Sequence, residues 1–375
     1  MSWQRWAAPI SLGICVLGIA VLASTMALWA GQSPGWGYDF RAYFDAGERL
    51  LATGTPYQSD TLNGAFRPGP GGLYLYSPIP AILVVPLTSL GFDSANLLWL
   101  LLRFCLLGLA CALMPVPRSI RLAILGVAAL SAPVMYDLNL GNVSLIVTFL
   151  AVVCWRWLDG PIGGLALAAS LTIRTTMAVI AAWWVLRRQW RAVAWTVIGG
   201  AALVIASLPF VRIDTWFQYA SVLRNVSDVT GVARNVDFGS TGLALGVPAG
   251  LSALFLVAGY ALAFGAILFS LRRDREIGFA VTLMATLLLS PLLWDHYLTN
   301  LIVHGALLAA RGRRWGVLLP LLGWLPALLL PFATAAGMLL PFAARDRGKA
   351  ELQVGRDEAE AIADADAGVS GTAGA

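Results

Sequence analysis

Long apolar runs separated by short arginine clusters constrain this chain more than any other feature. The stretches 7–30, 94–113, 192–210 and 249–271 hold a single charged residue among them, Arg103. Each is long enough as a helix to cross the roughly 30 Å hydrocarbon core of a bilayer. Composition agrees: 59% of the residues are apolar, 12% are charged and the mean hydropathy is +0.76. That is about half the usual charged fraction, with more apolar surface than a soluble core can hide. The first run begins after Arg5, is longer than a signal-peptide core and has no small-residue cleavage site after it, so it reads as an anchor.

The basic clusters set direction. They are Arg5, Arg118 with Arg121, Arg156, Arg187 with Arg188 and Arg191, Arg272 with Arg273 and Arg275, Arg311 with Arg313 and Arg314, and Arg345 with Arg347 and Lys349. Placed in the cytoplasm, they require the apolar segments between them to cross in pairs. Crossings then fall near 7–30, 94–113, 121–136, 143–158, 161–173, 177–186, 192–210, 249–271, 277–293, 297–310 and the proline-punctuated 315–342, about ten to twelve in all. The segment 77–90, with Pro78, Pro80 and Pro86, reads as a dip into the exterior leaflet, and 161–186 as two helices broken at Arg174. Residues 1–345 thus form one multi-pass membrane domain with exterior segments at 31–76 and 211–248, and the acidic stretch 346–375 is a disordered cytoplasmic tail.

This pattern excludes several function classes. The net charge of +5 sits in loops that orient the chain, which gives no reason to expect nucleic acid. Cys15, Cys105, Cys111 and Cys154 lie inside apolar runs without metal or disulfide spacing and read as packing residues. No phosphate-binding glycine loop, dinucleotide fingerprint or metal motif is present, so no cofactor is expected and a metal is not demanded, its requirement staying open. A secondary transporter or flippase remains an alternative, with Arg103 and Arg174 along its pathway, but no repeated pair of broken helices supports it. A noncatalytic scaffold is a third reading.

Candidate chemistry concentrates on the exterior side. After the first run, Phe40, Tyr43, Phe44, Gly47, Leu50 and Leu51 recur at helical spacing opposite Arg41, Asp45, Glu48 and Arg49, and Gly54 and Pro56 end the helix. A helix lying on the membrane surface follows, with the Asp39 carboxylate in its first turn. Asp39 then either caps the helix or meets a lipid-borne substrate. In SPLLWDHYLTN at 290–300, Trp294 and His296 form either an aromatic interfacial belt or a phosphate- or sugar-binding group, while His304 reads as packing. Arg103 at mid-run and Arg174 are costly in lipid unless they face a polar cavity, where either would bind a lipid phosphate. Asp137, Asn139 and Asn142 cluster at one exterior turn, to bind a sugar or to cap helices.

Five stretches taken in order resemble glycosyltransferase family 87: YDFRAYFDAGERLLATGTPY at 38–57, LYSPIPAILVVPL at 75–87, LNLGNVSLIV at 138–147, LTIRTTMAVI at 171–180 and SPLLWDHY at 290–297. The resemblance implies an all-α polytopic enzyme of the GT-C fold in the plasma membrane. It further implies inverting transfer of a sugar, mannose first and arabinofuranose as the alternative, from a polyprenyl-phosphate donor to a glycolipid or polysaccharide hydroxyl on the exterior face. By the same resemblance Asp39 is the general base. His296, Arg174, Arg103, Asn142, Tyr43, Tyr57 and Trp294 are the candidate donor-binding residues.

Overall fold

The computed structural model describes residues 4–59, 62, 73–225 and 235–343. The acidic tail and parts of both exterior segments lie outside them.

The first helix, α1 (Gln4–Trp29), is followed by α2 (Tyr38–Thr53), α3 (Pro78–Thr88), α4 (Phe92–Leu113), α5 (Arg118–Ala129) and α6 (Ala132–Leu140). Then come α7 (Ser144–Arg156), α8 (Pro161–Ile173), α9 (Ala178–Leu186), α10 (Trp190–Ser207), α11 (Ile213–Asn225) and α12 (Phe238–Ala244). The last are α13 (Ala249–Ser270), α14 (Arg275–Leu288), α15 (Leu301–Ala310) and α16 (Leu330–Leu339), and no strand occurs among the described residues. Four helices are individually long and apolar enough to cross a membrane: α1 from Ala8, α4, α10 and α13. The pair α5–α6 passes the same test together, bent by 62°. Other runs expected as spans fold as shorter apolar helices, α7, α8 and α9 among them. The protein is an all-α multi-pass membrane protein.

Lipid acts as solvent for the outer faces. Along α13 Leu254, Val257, Phe264 and Leu268 are exposed, whereas Gly259, Ala263 and Ala266 face inward. Where lipid tails compete equally for apolar contact, helices associate through close backbone approach. A Cβ built on Gly18 of α1 would stand 2.2 Å from the Gly126 carbonyl oxygen of α5, so only glycine admits this crossing.

The two ends of the bundle differ in polarity. At one end arginines donate to the carbonyls that end neighbouring helices: Arg156 to Leu113 at 2.9 Å, Arg121 to Ala112 at 2.8 Å and Arg187 to Arg273 at 2.9 Å. A cation there meets the negative end of a helix dipole. Arg311 bridges Asp274 and Glu276 at 2.5 Å each, and Arg275 pairs with Asp159.

The opposite end carries α2, α3, α11 and α12. Helix α3 lies along α2, with Thr88 and Val85 against Gly47. Both its ends stay on this side, since Ser77 N–H donates to Thr172 at the end of α8 and Phe92 packs on Phe40 and Phe44. The proline-bearing segment therefore begins and ends at this end of the bundle. The run 314–343 turns back at 325–326: Trp324 Nε1 donates to Leu130 at one end, and the Phe342 carbonyl accepts from Arg273 at the other.

Candidate active site

Asp39 stands in the first turn of α2, but the residue at the helix boundary is Gly37, in the left-handed region at φ +69°, and no side chain caps the turn. Asp39 is thus not the N-cap residue itself. Its Oδ2 accepts from Asn142 Nδ2 at 2.8 Å. The backbone of the α6–α7 turn makes this contact possible. Gly37 N–H donates to the Asn139 carbonyl at 2.8 Å, and Trp99 Nε1 to the Gly141 carbonyl at 2.8 Å. Gly141 has φ +82°, and a Cβ there would lie 2.5 Å from Phe40 Cβ. A left-handed backbone and direct contact with α2 both demand glycine at this position.

From Asn142 the hydrogen bonding continues inward. Asn142 Oδ1 accepts from Ser144 Oγ at 2.8 Å and from Ser144 N–H at 3.0 Å. Ser144 Oγ accepts in turn from Arg174 Nη2 at 3.1 Å. Arg174 is the extended residue, φ −135° and ψ 105°, that separates α8 from the short 3-10 turn before α9, the break expected from the sequence. Its guanidinium lies over the Tyr297 ring at 3.6 Å from the centroid. A carboxylate and a guanidinium are thus joined through two neutral side chains, a spacing that leaves the charges apart.

His296 is 4% exposed, with Nδ1 3.2 Å from Asp295 Oδ1 and with Nε2 buried and, among the described residues, without a hydrogen-bond partner. A neighbouring carboxylate fixes imidazole orientation and leaves the far nitrogen for a ligand. The segment before it is held by Asn235, whose Nδ2 donates to the Pro291 carbonyl at 3.0 Å and whose Oδ1 accepts from Leu293 N–H at 3.0 Å. Trp294 is half-buried at the head of the turn Asp295–Asn300. His304 is fully buried in α15, its ring nitrogens against the Asn300 and Ala280 carbonyls.

Arg103 lies inside the bundle. It is 0% exposed, and its guanidinium donates to the Asp137 carbonyl at 2.5 Å, the Leu138 carbonyl at 3.1 Å and the Trp99 carbonyl at 3.3 Å. It also pairs with Asp137 Oδ2 at 3.4 Å. These bonds tie it to the end of α6 and to its own helix, and so brace the Asn142 turn. Asp137 completes that turn by accepting from Ser144 N–H at 2.9 Å, capping α7.

A layer of phenols flanks Asp39. Tyr43 is 1% exposed and donates to the Tyr76 hydroxyl at 3.0 Å, while Tyr57 donates to the Tyr76 carbonyl at 2.8 Å. Burial, then Tyr297 and Asp39, push the Tyr76 phenol above its ordinary value, and Tyr43 and Arg174 pull the other way. It remains a neutral O–H donor at physiological pH. Sequence reading missed Ser144 and Tyr76: both stand inside matched motifs, but neither is charged, and partners distant in the chain give them their place. Among the described residues no three His, Cys, Asp or Glu side chains gather as a metal site would require.

The sequence matches glycosyltransferase family 87 over residues 74–291, more than half of the chain. This protein belongs to glycosyltransferase family 87. As a member it is a glycosyltransferase, and the matched region holds Tyr76, Asn142, Ser144 and Arg174, while Asp39 and His296 flank it. Two characterised relatives extend the similarity. One is the polyprenol-phosphate-mannose-dependent alpha-(1-2)-phosphatidylinositol mannoside mannosyltransferase of Mycobacterium tuberculosis, 25% identical over 77% of this chain and 76% of that protein. The other is the polyprenol-phosphate-mannose-dependent alpha-(1-2)-phosphatidylinositol pentamannoside mannosyltransferase of Mycolicibacterium smegmatis, 29% identical over 70% of this chain and 74% of that protein. No solved structure matches.

Proposed function

We propose that this family 87 enzyme transfers mannose, with inversion, from a polyprenyl-phosphate donor to a hydroxyl of a glycolipid at the exterior face of the plasma membrane. The observation that carries the reading is the run Asp39–Asn142–Ser144–Arg174, which places a carboxylate and a guanidinium at the end of the bundle opposite the arginine-capped loops. Arginine-rich loops stay in the cytoplasm, which sets the Asp39 end outside. The named activities of the two mycobacterial relatives support the donor and the acceptor class.

The chemistry follows from the geometry. As the acceptor oxygen bonds to the anomeric carbon, its proton passes to the Asp39 carboxylate. The bond from that carbon to the phosphate oxygen breaks, and its electron pair stays on the departing polyprenyl phosphate. Arg174 and His296 Nε2 are the groups placed to stabilise that charge. Asn142 holds Asp39 in place by donating to its Oδ2. A transport pathway lined by Arg103 is not supported, because that side chain is fully buried and bonded to carbonyls.

The test incubates membranes holding the wild-type chain or Asp39→Asn with radiolabelled polyprenyl-phosphate mannose and extracts the lipids. Labelled glycolipid from wild type and a signal about two to four orders of magnitude weaker from the variant is the expected result. Equal labelling by both proteins would sink the general-base assignment.

A further inference from the structure

Tyr43 and Tyr76 form a directed pair. Tyr43 is 1% exposed, and among the described residues its hydroxyl has one partner, the Tyr76 hydroxyl at 3.0 Å. The Tyr43 proton therefore points at Tyr76. A phenol oxygen that accepts one hydrogen bond must aim its own proton elsewhere, and the Tyr76 O–H has no acceptor among the described residues.

The surroundings say where that proton goes. Tyr76 is fixed by three contacts: Tyr57 O–H on its carbonyl at 2.8 Å, the Tyr43 ring edge-on at 5.1 Å, and Tyr74 edge-on at 5.8 Å. The residue after it, Ser77, donates its N–H to the Thr172 carbonyl two residues before Arg174, and the hydroxyl partner of Tyr76, Tyr43, lies one turn after Asp39 on α2. These contacts bring Tyr76 to the turn of α2 that follows Asp39 and to the segment that carries Arg174. Held neutral, it can donate without adding charge, and an accepted hydrogen bond strengthens it as a donor.

We propose that Tyr76 is a further catalytic residue, whose hydroxyl donates a hydrogen bond to the phosphate of the polyprenyl-phosphate donor alongside Arg174. Tyr43 is the positioning residue that orients the hydroxyl. The assignment rests on the donor reading above. It adds a neutral donor to the Arg174 and His296 groups proposed for the phosphate.

The experiment measures binding of short-chain polyprenyl phosphate, without sugar, to the purified full chain in lipid nanodiscs. Tyr76→Phe is expected to weaken binding about ten- to a hundredfold, the usual loss for one hydrogen bond to a charged oxygen. Tyr43→Phe weakens it less, and the double variant matches Tyr76→Phe alone, because Tyr43 acts through Tyr76. Unchanged affinity in a folded Tyr76→Phe protein overturns the assignment while leaving the donor reading intact. Failure of the wild-type chain to bind polyprenyl phosphate overturns both. Should Tyr76→Phe not fold, 3-fluorotyrosine at position 76 reports the same contact. Its fluorine resonance shifts on adding polyprenyl phosphate if the phenol donates to it, and an unmoved resonance refutes the contact.

Discussion

Asp39 and Asn142 are 103 residues apart in the chain, yet their side chains meet at 2.8 Å. In Asp39→Asn the new amide oxygen can still accept from Asn142, while the charge that favours the helix dipole by about 0.3–1 kcal/mol is lost. The variant is expected to fold with near-normal thermal stability and to lose transfer activity. Asp45→Asn is the control: that carboxylate is 34% exposed and only 3.9 Å paired to Arg41, a surface contact of small value, so most activity should survive. Arg174→Ala and His296→Ala are each expected to slow transfer from the phosphate-linked donor roughly thirty- to a thousandfold while expression holds, and unchanged turnover in either would remove that residue from the site. Gly141→Ala is a different kind of change. At φ +82° and 2.5 Å from Phe40 Cβ, the new methyl strains the turn and pushes α2 away, so both the melting temperature in detergent and the activity should fall.

At the scale of elements, the turn between α6 and α7 is the structural centre of the site. Arg103 from α4 ties down the carbonyls that end α6, and Asp137 caps α7 through Ser144. A buried pair of this kind depends on both members. Removing one by Arg103→Leu leaves an uncompensated carboxylate and is expected to cost about 3–5 kcal/mol, seen as loss of folded protein on size-exclusion in detergent. Arg103→Leu with Asp137→Leu should recover part of that loss. Equal yields for the single and double variants would show that the pair contributes no coupling. Helix α2 was readable from its apolar spacing and its terminal Gly54, which closes on the Leu50 carbonyl. The partner turn was readable only as a polar cluster.

For the molecule as a whole, the two ends divide the labour: arginines close helix ends on one side and the carboxylate–guanidinium run occupies the other. Orientation in the membrane is tested with an impermeant thiol reagent on intact cells, against the background of the natural cysteines. A cysteine at exposed Gln58, near α2, is expected to react, and one at exposed Arg191, at the start of α10, to stay unlabelled until the cells are opened. The reverse pattern would place the site in the cytoplasm. The sequence by itself determined the solvent, the helical class, the break at Arg174 and the position of Asp39 in a first helical turn. Each of these follows from local composition, hydropathy or periodicity, which need no knowledge of distant neighbours. Only the tertiary structure decided that Arg103 is buried against the end of α6, that Asn142 and Ser144 connect Asp39 to Arg174, and that Tyr43 of α2 meets Tyr76. In an apolar bundle a polar side chain takes its role from whichever acceptor or donor the packing brings within about 3 Å, and residues far apart in the chain supply it.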